Sequence, residues 1–262
     1  MRRKDRLGGL SDKTSDVILV VATAIILLIV AYPIYYVLIA SVSNPYDVYA
    51  GKTFLFPSEF SLKGYKAVFA DPSIITGYKN SVIYTVIGTI FSVVMLYITA
   101  YPLAQKDLPG RKFLSIFFII TMYFGGGLVP TYLVVKQTGL INNMWALFLP
   151  GGVAVGNMII VRNFFENSIP KEMIEAAEID GANGLGKLVY ITIPNMRNCF
   201  VLLFVTGMIN GLARFTDIYI IGGLNTSGGA GGSLQTILMY IFQYSFETPN
   251  YGVASAGAMI LF

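Results

Sequence analysis

From Val17 to Val42 the chain runs for 26 residues without a charged side chain, and this stretch constrains everything that follows. A helix needs roughly twenty apolar residues to cross a bilayer. The run is too long for a signal-peptide core, and no small-residue cleavage pattern follows it. It reads as a first membrane span, with Pro33 predicting a kink. Met1 to Asp16, before it, is polar and basic, carrying Arg2, Arg3, Lys4, Arg6 and Lys13.

The pattern repeats. Asn80–Ala104 reads as a second span, closed by a tight turn over residues 105–112. Phe113–Val135 reads as a third, interrupted by Gly125–Gly127 and Pro130. Such glycines either let helices pack closely or unwind the backbone beside a cavity, and close packing is the reading preferred here. Asn142 and Asn143 mark an outer turn, Met144–Val161 a fourth span and Phe200–Ile221 a fifth. Gln235–Tyr244 is apolar enough for a surface helix but too short to cross. Tyr251–Phe262 offers only about twelve residues of a sixth span, so the helix is expected to continue beyond Phe262. At 55% hydrophobic and 12% charged residues, the chain has about half the charge of a soluble domain. The fold expected is therefore all-α: a membrane bundle of six helices, with residues 1–16 as a tail and 17–262 as one transmembrane domain.

Lysine and arginine set the orientation. The N-terminus holds five, the 105–112 turn three and the segment after the fourth span four. The opposite side has Lys52, Lys63, Lys66, Lys79 and Lys136, spread over longer loops. The richer side, including the N-terminus, is expected to be cytoplasmic.

Several chemistries are absent. There is no histidine and one cysteine, Cys199. That removes a His-containing triad, a histidine proton relay, an internal disulfide and cysteine metal clusters. No phosphate-binding loop of the GxxxxGK[ST] kind occurs, so the chain is not expected to bind ATP, a metal or another cofactor. No nucleic-acid partner is expected either.

The segment from Asn163 to Arg197 is different in character. It holds five of the fourteen acidic residues and lies between two apolar runs, so it must face water. Ser168 or Ile169 stands at an N-cap, Pro170 fits the first helical position, and Glu172 and Glu175 sit near the positive end of the helix dipole. Gly181 stands where a helix would end in the left-handed conformation. A second short helix, Leu185–Tyr190, then runs toward Pro194. A helix, a glycine turn and a second helix held between two spans make a docking element; an ordinary solvated loop is the plainer alternative.

Glu175-Ala176-Ala177, three residues, Gly181, nine residues and Ile191-Thr192-Ile193-Pro194 resemble the EAA loop of ABC importer permeases. The one departure is Ile193, where leucine is usual. The surrounding SIPKEMIEAAEIDGAN is similar to the carbohydrate-uptake branch, in particular the maltose importer's smaller permease. From Arg214 onward the larger partner permease is an equally good match, which leaves the subunit type open. The resemblance implies a permease subunit of a carbohydrate importer, with an oligosaccharide as cargo, in a bacterial cell membrane. It also implies a second permease, two ATPase subunits carrying ATP and Mg, an extracytoplasmic solute-binding protein and lipid around the spans. Glu175, Ala176, Ala177, Asp180, Gly181, Ile191 and Pro194 are then the ATPase-coupling residues.

The fifth span carries a polar stripe: Gly207, Asn210, Gly211, Arg214 and Asp217 recur every three or four residues and share one helix face. Asn210, Arg214 and Asp217 either line a translocation pathway or, in the case of Arg214 and Asp217, form an ion pair at headgroup level. Tyr123, Tyr132, Trp145, Tyr219 and Tyr240 are candidates for stacking on sugar rings or for an interfacial belt. A transporter driven by an ion gradient is the rival reading. It calls for acidic or histidine residues in mid-span, and only Asp217, near a span end, qualifies. An ABC permease for a non-sugar solute and a membrane scaffold are the remaining alternatives.

Overall fold

A computed structural model of the chain describes residues 11–167, 173, 176–177, 179, 181–187, 190–191, 193–223 and 226–261. Among these the regular structure is all helix, without a named strand. In order the helices are α1 (Ser11–Ser41), α2 (Pro45–Tyr49), α3 (Lys63–Ala70), α4 (Pro72–Ala104), α5 (Arg111–Tyr123), α6 (Leu128–Gln137), α7 (Trp145–Phe148), α8 (Val155–Asn167), α9 (Gly184–Lys187), α10 (Arg197–Leu212), α11 (Thr216–Ile221), α12 (Ile237–Phe242) and α13 (Tyr251–Leu261). The chain divides into two compact units, Met1–Pro72 with Ile241–Phe262, and Ser73–Tyr240.

In the first unit α1 is apolar on every side, with Leu27, Leu28 and Ile29 at least 66% exposed. A helix apolar all round, with no protein covering most of it, is suited to lipid. Its last turn, Ile39–Ser41, is buried. Helix α13 packs against α1, α2 and α3 through a face of small residues: Gly252, Ala254, Ala256 and Gly257 are buried. A Cβ on Gly64 of α3 would lie 2.7 Å from the Gly252 carbonyl oxygen, so the two backbones touch. Asn44 caps α2, its Oδ1 accepting from the Tyr46 N–H, and Pro45 occupies the first turn. Tyr32 and Tyr35 of α1 donate their hydroxyls to the Phe54 and Leu55 carbonyls and hold the following loop.

Two helices are long and apolar enough to cross a membrane unaided, residues Thr14–Ser41 and Pro72–Ala104. The expected third, fourth and fifth spans are broken. Between α5 and α6 the axis turns by 114° at Phe124–Gly127, so Phe113–Val135 is a bent pair rather than one straight helix. Its glycines unwind the backbone instead of packing: Cβ atoms added at Gly125 and Gly127 would meet nothing within 4 Å. The expected fourth span contains a non-helical stretch from Leu149 to Ala154, between α7 and α8, around Pro150-Gly151-Gly152. The expected fifth span breaks at Ala213–Phe215, between α10 and α11. Of Gln235–Tyr244, expected as a surface helix, Ile237, Met239 and Tyr240 are fully buried and residues 241–244 half-buried.

The second unit has two cores. One gathers Leu96, Ala100 and Leu103 of α4, Met158, Val161 and Phe165 of α8, and Met196, Cys199 and Leu203 at the start of α10. The other gathers Val135, Leu147, Phe148, Ile218, Ile221 and Leu234. Helix α4 is common to much of this: its lower half supplies the first core, while Tyr84, Ile87 and Phe91 pack on the second.

Candidate functional site: a polar cavity and the insert after the eighth helix

Helix α4 carries polar residues along its first half, and most of them are engaged by broken backbone elsewhere in the second unit. Asn80 donates to the carbonyls of Gly232 (3.3 Å) and Gln235 (2.9 Å). Ser81 Oγ accepts the Ile237 N–H at 3.1 Å, and the Tyr84 hydroxyl donates to the Ser233 carbonyl. Ser92 donates to the Gly152 carbonyl at 3.2 Å, inside the break between α7 and α8. Backbone groups out of helix and out of water must find such partners, which is why these side chains are polar. Thr85 and Thr89 have another role. They face Gly211 and Gly207 of α10, where an added Cβ would come within 2.9 Å and 2.8 Å of their methyl carbons. The two helices meet there as closely as backbone allows.

Beside this contact lies a cavity of about 140 Å³. Its walls include Ser81, Thr85 and Thr89 of α4, Asn157 of α8, and Asn210 and Arg214. Arg214 is the only charged residue among its described walls. It stands in the break between α10 and α11, where it donates to the Leu147 carbonyl and pairs with Asp217 at 3.7 Å. The side-chain amides of Asn157, half-buried, and Asn210, exposed, have no hydrogen-bond partner among the described residues.

The expected stripe is thus only partly one surface. Gly207, Asn210, Gly211 and Arg214 line the cavity together, although Arg214 lies past the end of α10. Asp217, in the first turn of α11, lines a neighbouring pocket of about 200 Å³ with Arg214 and Tyr132. Arg214 and Asp217 therefore form the ion pair of the plainer alternative, and Arg214 faces the cavity as well. Among the aromatic candidates, Tyr240 is buried, Trp145 packs edge-on against Phe91 and Phe148, and Tyr219 stacks on Phe215. The polar face of α4 was not singled out from the sequence; serine and threonine at spacings of four (Ser81, Thr85, Thr89) in an apolar helix are the signal that marks it.

The insert after α8 is described in part, and Glu175 and Asp180 lie outside the described residues. Gly181 has φ of +77°, and the Ala182 N–H donates to the Ala177 carbonyl at 2.8 Å. That is the six-to-one bond of a Schellman helix stop. A Cβ on Gly181 would meet nothing within 4 Å, so backbone conformation alone calls for glycine there. Ala176 is exposed and Ala177 is buried. Asn183 Oδ1 accepts the Gly186 N–H at 2.7 Å and caps α9; of the expected Leu185–Tyr190 helix, residues 188–189 lie outside the described residues. Ile191 packs on the first core, and Pro194 lies in a single exposed turn, Ile193–Asn195. Ile179 and Tyr190 of the insert are 87% and 82% exposed, large side chains left uncovered by the rest of the chain. Both ends of the insert are rooted in one core, through Phe165 on one side and Met196 on the other.

No family model matches the chain. It is 41% identical over 167 residues to the polygalacturonan/rhamnogalacturonan transport system permease protein YtcP of Bacillus subtilis (strain 168), covering 64% of this chain and 58% of that protein. Protein LplC of the same organism is 36% identical over 181 residues, covering 68% of this chain and 61% of LplC. The chain thus spans about three-fifths of the length of these two relatives. Among solved structures, a bacterial ABC transporter involved in the import of the acidic polysaccharide alginate superposes with a TM-score of 0.81 at 25% identity, covering 97% of this chain and 93% of that one.

Proposed function

We propose, from the premise that this chain is a homologue of the permease subunits of ABC sugar importers, that it forms half of the translocation pathway of an ATP-driven oligosaccharide importer. The observation that carries the reading is the insert: a glycine-stopped helix presenting exposed Ile179, on a segment whose two ends enter one core with α4. A separate ATPase, carrying ATP and Mg, would dock there through Glu175, Ala176, Ala177, Asp180, Gly181, Ile191 and Pro194. Its closure would pull the insert and rock the helices in alternating access. A second permease, a second ATPase and a solute-binding protein complete the assembly in a bacterial cell membrane, with the N-terminus and the insert cytoplasmic.

The cavity is assigned to the cargo pathway, with Asn210 and Arg214 on its wall and Asp217 positioning the guanidinium. The cargo proposed is an acidic oligosaccharide. The names of one relative and of the structural neighbour point to uronic-acid polymers, and Arg214 offers guanidinium N–H donors suited to a carboxylate. The test is purification of the chain from native membranes in mild detergent, identification of its companions, and reconstitution in proteoliposomes. Companions that include an ATPase, with uptake that requires internal ATP, support the reading. A chain that purifies alone and moves solute under an ion gradient without ATP overturns it.

A further inference from the structure

Helix α8 ends in Arg162-Asn163-Phe164-Phe165-Glu166-Asn167 and delivers the chain into the insert. Glu166 Oε1 accepts Arg162 Nε at 3.0 Å, one turn back on the same helix, and accepts the Arg111 guanidinium from the first residue of α5. Arg111 Nε also donates to the Leu103 carbonyl at 2.8 Å, and Arg162 Nη1 reaches Ser115 Oγ of α5 at 3.4 Å. One carboxylate oxygen thus joins the last turn of α8 to the first turn of α5. Through Arg111 the joint extends to one of the C-terminal carbonyls of α4 that has no partner within its helix. All three charged side chains are about three-quarters buried, at 24–25% exposure.

Both cross-helix charges stand at the wrong helix ends. A cation at the N-terminus of α5 and an anion at the C-terminus of α8 each oppose their helix dipole. The i,i+4 pair with Arg162 gives Glu166 some local support, but only the contact across helices accounts for Arg111 at the start of α5. The neighbouring Phe165 adds a second grip, edge-on to Tyr97 at 5.6 Å and Tyr101 at 5.5 Å of α4.

We propose that Glu166 is a positioning residue for coupling: it clamps the root of the insert to the corner between α4 and α5, so that a pull on the insert moves that corner. This rests on the ATP-driven reading above. An unclamped α8 end would move with the insert alone, and ATP would be hydrolysed without matching transport.

The experiment uses the fully assembled transporter in proteoliposomes and reads ATP hydrolysed per solute imported. Glu166→Gln keeps the volume and removes the charge. It should leave ATP hydrolysis within about twofold and raise the ratio about tenfold. Arg111→Gln, which breaks the link across helices, should do the same. Arg162→Gln, which leaves the Arg111–Glu166 link in place, should leave the ratio near that of the unmodified transporter. Unchanged ratios in both Glu166→Gln and Arg111→Gln, with the unmodified transporter coupled, overturn the clamp and spare the importer reading. Loss of assembly in both variants makes the cluster a folding element and also overturns the clamp. Absence of ATP dependence in the unmodified transporter overturns both.

Discussion

The contact between α4 and α10 yields a prediction with an internal control. A Cβ placed on Gly207 would lie 2.8 Å from Thr89 Cγ2, 3.2 Å from its Oγ1 and 3.5 Å from its Cβ. Overpacking of this kind costs about 1–3 kcal/mol, while alanine is favoured over glycine inside a helix by roughly 0.5–1 kcal/mol. Gly207→Ala should therefore destabilise the protein by about 1 kcal/mol net at the middle of these ranges. Thr89→Ala removes both close atoms and leaves only the ordinary 3.5 Å contact. The deletion sacrifices no hydrogen bond, because Thr89 Oγ1 has no partner among the described residues. The double variant should then be at least as stable as Thr89→Ala alone, a coupling of about 1–2 kcal/mol. Gly211 is the control. Its Cβ would lie 2.9 Å from Thr85 Cγ2 but also 3.2 Å from Thr85 Cα, which is backbone. Thr85→Ala cannot remove that contact, so its rescue of Gly211→Ala should be incomplete. Unfolding in mixed micelles titrated with sodium dodecyl sulfate, followed by circular dichroism, measures all six variants. A harmless Gly207→Ala, or equal rescue at the two sites, would refute the reasoning.

Gly181→Val should abolish ATP-driven uptake while the chain still inserts and assembles. Gly181→Asn should retain much of the uptake, because asparagine enters the left-handed region readily and the space around position 181 is open. Asn80→Leu leaves the Gln235 carbonyl without its 2.9 Å donor and should cost about 1–3 kcal/mol. That loss is read as faster labelling of a cysteine placed at Ser233. Gly228→Ala would put a Cβ 2.0 Å from the Gln235 backbone nitrogen at φ of +71°, and should displace the same segment more severely. Arg214→Gln keeps a donor for the Leu147 carbonyl and removes the charge. It should lower uptake of an acidic oligosaccharide about tenfold more than uptake of a neutral one of equal length, measured by competition.

What could be read in the sequence follows from what hydropathy measures. The spans at Val17–Val42 and Asn80–Ala104 are legible because length and apolar composition suffice to define them, but the helices begin earlier, at Ser11 and Pro72, where polar residues hide them from hydropathy. The glycine stop at Gly181 is legible because it is local, set by a few neighbouring residues. The breaks at residues 124–127, 149–154 and 213–215 are not legible in the same way. An apolar window has the same average whether its backbone is continuous or not. Glycines such as those at 125–127 read equally well as packing surface or as an unwound link.

Whether a backbone can break inside an apolar bundle depends on who accepts or donates the freed hydrogen bonds, and here the partners are remote. Ser92 reaches Gly152 across 60 residues, Arg214 reaches Leu147 across 67, and Asn80 reaches Gln235 across 155. Each polar residue in an apolar helix thus has two readings, as lining for a ligand or as support for a broken strand of backbone elsewhere, and only three-dimensional contacts separate them. Asn80, Ser81, Tyr84 and Ser92 are support. Asn157 and Asn210, with amides unengaged among the described residues, border the cavity, and the proposed pathway makes them lining. Arg214 belongs to both classes: it closes the break at Leu147 and faces the cavity. A substitution there should therefore alter stability and cargo preference together, whereas at Asn210, whose amide supports no backbone, cargo transport should change with stability left nearly intact.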